Sequence, residues 1–192
     1  MKRKILAIFR KFNYYGAVNN SLDLILNLDQ SVYDIQVIFV KRKSASENSS
    51  YINYLNLKGI NYYFLDNILN LNYLIISRIP NFIKLFIIKY NWKKLKLEKS
   101  NFDIYYVNDH LSDYSFITNQ LEIKKTIYHS HYSKILSDYL PKHIIQFYKK
   151  ALLNIVNNKE NKTELIKLGI VEEKIYNLNL AINPNNWIYN EE

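Results

Sequence analysis

Cysteine is absent from the 192-residue sequence, and histidine occurs only four times. A chain without cysteine forms neither a disulfide framework nor a thiolate metal site, so the sequence leaves the redox compartment open. Four histidines give a multi-histidine metal site few ways to form. We therefore expect no metal and no bound cofactor.

Glycine and proline are scarce, with three of each, and no internal repeat or low-complexity linker is visible. The pattern Gly-x-Gly-x-x-Gly does not occur, so a dinucleotide site of the usual type is not supported. A chain of this length is expected to form one domain with a well-filled core. We assign that domain to residues 1–183 and the start of a linker to 184–192.

Long apolar runs are missing too. The run Ile5 to Phe9 after the basic start is shorter than the roughly 7 to 15 residues of a signal-peptide core. Elsewhere Asn, Asp66, Arg78 or Lys84 interrupts the apolar stretches before the roughly 20 residues that span a bilayer. The expectation is a cytoplasmic chain, soluble or peripheral at the inner face of the membrane.

Basic residues outnumber acidic ones by 26 to 17, which gives a formal charge of +9. That excess suggests a phosphate-bearing partner such as nucleic acid, anionic lipid or a nucleotide-linked substrate. The abundance of Lys, Asn, Ile and Tyr is also typical of an AT-rich genome. Net charge alone therefore does not choose a partner.

Seven short apolar runs alternate with segments of helical character, which predicts an α/β, Rossmann-like, doubly wound and mostly parallel sheet. Helices are expected from Ala17 to Leu28, from Ser50 to Leu57 with Gly59 behind it, and after Asn157 as cap with Gly169 at the end. Lys41 to Ser50 is expected to be a mobile loop. The predicted strands are Lys4 to Phe9, Asp34 to Val40, Asn61 to Leu65, Asp103 to Val107, Lys125 to His129, Leu152 to Val156 and Lys174 to Leu178.

Arg78 to Ser100 is an amphipathic segment with two interpretations. It could be a crossover helix that buries an apolar stripe on the sheet, or an interfacial helix whose lysines and Trp92 meet an anionic membrane surface. The first is favoured, and both can hold. The stripe consists of Ile79, Phe82, Ile83, Phe86 and Tyr90, and the lysines are Lys89, Lys93 and Lys96.

Polar residues collect where predicted strands end, and ligands of open parallel sheets bind beyond those carboxyl ends. Gly16 follows the first strand, Asn108 and Asp109 follow the fourth, and His129 and His131 flank Ser130 after the fifth. An imidazole there could bind, or exchange a proton with, a sugar hydroxyl or phosphate. A catalytic triad is disfavoured because no nucleophile elbow is present. Nucleic acid is disfavoured because a covered parallel sheet offers no stacking platform.

The order of these segments resembles the N-terminal domain of family-4 glycosyltransferases with the two-domain GT-B fold, of the exopolysaccharide and capsular polysaccharide type. Lys4 to Ala17 looks like the opening strand and glycine-bearing loop, and the His-Ser-His end of Lys124 to His131 is the most telling part. Gly169-Ile170 with Glu173-Lys174-Ile175 is similar to the family's Gly-Ile and Glu-Lys-Ile. Tyr106 and Asn108 stand where the family has two histidines, and Asn158 stands for its serine.

The resemblance implies transfer of a sugar from a nucleotide-sugar donor to a glycan or lipid-linked acceptor, with retention of configuration. It places Gly16 and Ala17 near the donor phosphates and turns His131 and His129 toward the reacting sugar. Asn108 and Asp109 would bind the acceptor, and Tyr15 and Asn158 complete the substrate-binding set. A donor-binding domain would begin after about Trp187, so a donor-domain partner protein is expected. The alternative is a non-catalytic split subunit or shortened remnant that acts as a binding module.

Overall fold

A computed structural model of the chain describes residues 1–12, 16–42, 50–66, 80–97, 101–108, 111, 115–131 and 142–178. Its seven strands all run parallel, in the order β3-β2-β1-β4-β5-β6-β7. Each predicted strand is confirmed, with small shifts at its ends. The strands are β1 (Arg3–Phe12), β2 (Tyr33–Arg42), β3 (Asn61–Phe64), β4 (Ile104–Asn108), β5 (Thr126–Ser130), β6 (Leu153–Val156) and β7 (Ile175–Asn177).

Six α-helices and two short 3-10 helices connect the strands in the part of the chain that the structure describes. The α-helices are α1 (Gly16–Leu26), α2 (Ser50–Leu57), α3 (Asn81–Lys94), α4 (Ser115–Thr118), α5 (Lys142–Lys150) and α6 (Lys159–Lys167). The 3-10 helices are η1 (Ile123–Lys125) and η2 (Glu172–Lys174). The doubly wound α/β fold predicted from the alternating pattern is therefore present.

The core has one layer on each face of the sheet, because a central parallel strand buries its side chains on both sides. Leu6 and Ile8 of β1 pack in one layer with residues of α3, α5 and α6. Ala7 and Phe9 pack in the other layer with residues of α1 and α2. All four are 0% exposed. This explains why β1 is continuously apolar and not alternating.

The start of α6 differs from the prediction. Asn158, not Asn157, is the N-cap: its backbone is extended, and its side-chain oxygen accepts from the Asn161 backbone N–H at 2.7 Å. A cap moved by one residue takes Glu160 out of the capping-box position and frees the Asn157 side chain for another contact. The two glycine caps are confirmed, since Gly59 and Gly169 have φ angles of 64° and 81°.

The buried face of α3 also differs from the prediction. Phe82, Phe86 and Tyr90 are 74%, 70% and 57% exposed, whereas Ile88 and Trp92 are buried in the core. The described part of the predicted stripe therefore does not cover the sheet, and Trp92 does not lie at the surface. Ile79, the first residue of the stripe, lies outside the described residues. The helix is apolar on several faces, so periodicity could not tell which one packs inward.

The predicted loop from Lys41 to Ser50 is shorter than expected at both ends. Lys41 and Arg42 belong to β2, and Ser50 opens α2. Residues 43–49 lie outside the described part of the chain, so their mobility stays a prediction. Within the described residues, no helix is both long and apolar enough to cross a membrane.

Candidate functional site

The order in which strands are added to the sheet reverses between β1 and β4, which are parallel neighbours although β2 and β3 lie between them in sequence. In open α/β sheets the ligand crevice lies at such a point, beyond the carboxyl ends of the strands. Six polar residues meet at this edge on the face covered by α1, and we call them the histidine cluster. They are Ser21, Tyr106, Asn108, His129, His131 and Asn157.

Strand alternation explains how the cluster forms. Tyr106 and Asn108 lie two residues apart on β4, and His129 and His131 lie two residues apart on and after β5, so each pair shares a face. Asn108 is the register partner of His129. Ser21 reaches the same face from the second turn of α1, where it is 0% exposed.

His131 is the half-buried histidine of the cluster. Its Nε2 lies 2.7 Å from the Ser21 hydroxyl and 3.0 Å from the Asn108 amide nitrogen, while its Nδ1 lies 2.6 Å from the Asn157 amide nitrogen. Asn108 also donates to the Ser21 hydroxyl at 2.6 Å. Ser21 and Asn108 therefore hold the Nε2 edge of this ring, and Asn157 holds the opposite edge.

His129 is 0% exposed. Its Nε2 lies 2.7 Å from the Asn157 amide oxygen, and its Nδ1 is close to the Tyr106 hydroxyl and 3.3 Å from that of Ser21. The ring centroids of His129 and His131 are 4.0 Å apart, so the two imidazoles stack. With no exposed surface, His129 has no atom that a sugar could contact in this conformation.

Burial sets the charge of both rings. Desolvation lowers the pKa of His129 from 6.5 to about 4, opposed by its hydrogen bond to Asn157. Desolvation also lowers the pKa of His131 from 6.5 to about 3, and the neighbouring His129 lowers it further. A charged imidazole is disfavoured away from water, so both rings are neutral near pH 7. The cluster can therefore donate or accept hydrogen bonds without carrying charge.

The structure brings together three of the predicted site residues: Asn108, His129 and His131. Gly16 and Ala17 open α1 beyond the carboxyl end of β1, at the same edge of the sheet. The side chain of Asn158 caps α6 by accepting a hydrogen bond from the Asn161 backbone N–H. Tyr15 and Asp109 lie outside the described residues. The roles that the resemblance implies for these residues stay predictions, although the burial of His129 favours contact with substrate through His131.

Sequence reasoning missed two members of the cluster and misassigned a third. Ser21 lies on the apolar stripe of α1 between Val18 and Ile25, and a polar residue on such a stripe was a signal that went unused. The motif marks Tyr106 only as a replacement for histidine. The sequence predicts Asn157 as a helix cap, whereas in the structure Asn158 is the cap and Asn157 joins the two histidines.

The described residues contain no group of three or more His, Cys, Asp or Glu side chains placed to hold a metal ion. The donors of the histidine cluster are two imidazoles, two amides and two hydroxyls. Neutral donors of this kind suit the oxygens of a sugar or a phosphate through hydrogen bonds.

Comparison with known proteins shows the fold and leaves the family open. No protein-family model and no curated sequence matches the chain. Its structure matches HepE of Anabaena, solved in complex with UDP and glucose, with a TM-score of 0.57 and 15% identity over 95% of this chain and 46% of HepE. It also matches a glycosyltransferase from Rickettsia africae, with a TM-score of 0.52 and 15% identity over 91% of this chain and 42% of that enzyme.

A third match has a different chemistry. It is the UDP-N-acetylglucosamine 2-epimerase of Rickettsia bellii, with a TM-score of 0.51 and 13% identity over 92% of this chain and 44% of the epimerase. The chain thus spans less than half the length of each of these proteins. At these identities the matches confirm a Rossmann-like domain of the GT-B kind, whereas membership of family 4 and of the exopolysaccharide type stays a prediction.

Proposed function

We propose that the chain forms the acceptor-side half of a glycosyltransferase that moves a sugar from a nucleotide-sugar donor to a glycan or lipid-linked acceptor in surface polysaccharide synthesis. One observation carries the proposal: the histidine cluster lies at the switch-point edge of the sheet and reaches the surface at His131. The fold supports it, since HepE of the same fold was solved with UDP and glucose. The family resemblance of the His-Ser-His strand end supports it independently.

In the proposed reaction the acceptor oxygen forms a bond to the anomeric carbon while the bond from that carbon to the donor phosphate breaks. The leaving phosphate takes the proton of the acceptor hydroxyl, so we assign no protein base. His131 would contribute a neutral hydrogen bond to an oxygen of the reacting sugar or phosphate. Fixed donors aimed at developing charge in a water-poor site stabilise a transition state. Ser21 and Asn108 hold the ring for that contact.

A second half is required by this proposal, within the same polypeptide or on a partner protein. In the GT-B arrangement implied by the resemblance, the donor binds mainly to the other domain, and the reaction takes place between the two. Residues 1–192 taken alone would leave the nucleotide open to water, which weakens electrostatic stabilisation of the leaving phosphate. We therefore expect these residues alone to bind donor weakly and to transfer no sugar. The interdomain face would carry Tyr14, Tyr15 and Trp187, which lie outside the described residues.

A binding module without turnover is the second candidate. It is favoured by the fact that all four ring nitrogens of His129 and His131 already lie within hydrogen-bond distance of protein groups. A substrate oxygen must displace Ser21, Asn108 or Asn157 to reach His131. If no substrate displaces these three side chains, the histidine cluster has only a structural role.

Titration with UDP-glucose in the presence of the donor-binding half, followed by NMR of the imidazole signals of this chain, separates the site from a structural cluster. We expect the His131 signals to shift in wild type and the saturable response to disappear in His131→Ala. The matched control is His143→Ala on the exposed face of α5. If wild type shows no shift at His131, or if His131→Ala binds as wild type does, the proposed site is wrong.

We further propose that α3, within Arg78 to Ser100, lies against an anionic membrane surface, which would favour a lipid-linked acceptor. Phe82, Phe86 and Tyr90 are exposed, and the helix contains no acidic residue. A groove of about 420 Å³, lined in part by Phe86 and Tyr90, is edged by Lys89 and Lys93. Exposed aromatics next to basic residues match an interface of acyl chains and anionic headgroups, each lysine contributing about 1 kcal/mol.

The position of α3 agrees with this proposal. Asn91, in its last turn, donates to the backbone oxygen of Leu65 at 2.8 Å, directly after the carboxyl end of β3. The last turn of α3 therefore lies at the same edge of the sheet as the histidine cluster, and the helix packs on the opposite face. A bilayer touching α3 would bring lipid headgroups near this edge.

Co-sedimentation with vesicles tests the membrane surface. We expect binding to vesicles that contain phosphatidylglycerol and much less to phosphatidylcholine alone. Lys89→Gln with Lys93→Gln should remove the preference for anionic lipid, and Phe82→Ser with Phe86→Ser should weaken binding to both. Leu57→Ser, which alters an exposed leucine on α2, is the matched control. Equal sedimentation of all variants would exclude this surface.

A further inference from the structure

Asn157 bridges the two stacked histidines, because its amide group contacts Nε2 of one ring and Nδ1 of the other. Its amide oxygen lies 2.7 Å from Nε2 of His129, and its amide nitrogen lies 2.6 Å from Nδ1 of His131. The residue follows β6 directly, next to the strand that carries both histidines. Nothing in the resemblance assigns a role to it.

The chemistry of one amide group links the protons of two rings. The amide oxygen only accepts and the amide nitrogen only donates, whereas a neutral imidazole has one nitrogen of each kind. With the oxygen toward His129, that ring carries its proton on Nε2, and His131 must accept at Nδ1 and so carries its proton on Nε2 as well. With the amide reversed, both protons move to Nδ1. In either case the two rings carry the proton on the same-named nitrogen.

We propose that Asn157 is a positioning residue whose amide group holds His129 and His131 in the same tautomer. That tautomer determines whether His131 donates a hydrogen bond to substrate or accepts one. Ser21 and Asn108 lie at Nε2 of His131, so this edge of the half-buried ring is where an incoming oxygen would replace a protein partner. With the proton on Nε2, that edge donates to an oxygen; with the proton on Nδ1, it accepts from a hydroxyl, and the Asn108 amide nitrogen 3.0 Å from Nε2 fits this second arrangement. The functional half of this inference rests on the proposed sugar transfer, and the tautomer link does not.

The test compares three variants of the full chain. Asn157→Asp replaces the amide with a carboxylate that accepts from both rings, so Nδ1 of His131 and Nε2 of His129 must both be protonated, whichever tautomer the wild type holds. Asn157→Ala removes the link. Asn158→Ala is the matched control, because the neighbouring asparagine caps α6 and touches neither ring in the contacts above. Long-range proton–nitrogen NMR near neutral pH reports which ring nitrogen carries each proton.

In wild type we expect one tautomer for both rings, on the same-named nitrogen. Asn157→Asp should give a protonated Nδ1 on His131 and a protonated Nε2 on His129, and Asn157→Ala should give mixed tautomers. Asn158→Ala should melt earlier and keep the wild-type pattern. Different tautomers on the two wild-type rings, or an Asn157→Ala pattern equal to wild type, would overturn the inference.

Sugar transfer in the presence of the donor half supplies the functional readout. If wild-type His131 carries its proton on Nε2, Asn157→Asp moves that proton to Nδ1 and should lower kcat at least about tenfold, with Asn158→Ala near wild type. If wild-type His131 carries its proton on Nδ1, its tautomer does not change and kcat should stay near wild type. Full activity of Asn157→Asp with an altered tautomer would overturn the functional half alone. If wild type transfers no sugar, the proposed function is contradicted and the NMR result still decides the tautomer link.

Discussion

Lowering the pH from neutral should destabilise the fold before its carboxylates titrate, because His129 and His131 are held neutral. Their folded pKa values, about 4 and about 3, lie below the ordinary value of 6.5. Protons therefore bind the unfolded chain first, so this stability is present above pH 6.5 and is lost as the pH falls toward 4. Most Asp and Glu side chains have pKa values of about 4, which leaves a window in which histidine dominates.

The magnitude follows from His129. At about pH 5.5 its unfolded ring is about nine-tenths protonated and its folded ring about 3%, so the free energy of unfolding falls by about 1.2 kcal/mol relative to about pH 7. His131 is half-buried, so we count about half to two-thirds of the same effect for solvent screening. Together the two rings should remove about 2 kcal/mol, a large share of the usual stability of 5 to about 15 kcal/mol.

Urea unfolding followed by circular dichroism between about pH 7 and about pH 5.5 measures this loss. His129→Gln should show roughly a third to two-fifths of the loss of wild type, which is the share of His131. His143→Gln, which changes the exposed histidine of α5, should show all of it. A free energy of unfolding that does not change over this window would refute the assignment of two buried neutral rings. So would an unchanged pH dependence in His129→Gln.

Three further changes test the packing around the site, each by urea unfolding. Ser21→Ala removes a buried hydroxyl that Asn108 donates to at 2.6 Å, so it should cost about 1 to 3 kcal/mol, whereas Ser31→Ala on the surface should cost little. Trp92→Ala should cost about 3 to 5 kcal/mol because the indole is buried, and Tyr90→Ala, two residues away and exposed, should stay within about 0.5 kcal/mol of wild type. Gly169→Ala should lower the free energy of unfolding by about 1 kcal/mol or more, because φ is 81° and the new methyl group would lie 3.1 Å from Lys149 Nζ. A free energy of unfolding equal to that of wild type would contradict the strained geometry.

The strands were predictable because each is a short apolar run bounded by polar residues, and the central ones are buried on both faces. β1 and β5 show this best, since the strong run around Leu6 and Ile8 and the run ending at His129 have no helical period. Parallel order follows from the alternation with helices. The convergence of Asn108 and His131 then follows from the rule that carboxyl ends of parallel strands share one edge.

The orientation of helices and of single side chains was harder to predict. α3 is apolar around most of its circumference, so only the packed structure shows that Trp92 faces inward and Phe86 outward. Asn157 and Asn158 are identical residues in succession, and sequence alone does not say which one caps the helix. The difference matters for the site, because Asn158 caps the helix and Asn157 is therefore available to join the two histidines.

The most direct test of the central claim is transfer of radiolabelled sugar from a nucleotide-sugar donor to a lipid-linked acceptor by this chain combined with a donor-binding half. We predict transfer by the combination, none by residues 1–192 alone, a strong loss with His131→Ala and wild-type transfer with His143→Ala. Transfer by residues 1–192 alone would contradict the need for a second half. Transfer that is unchanged by His131→Ala would contradict the claim that the histidine cluster is the reacting site.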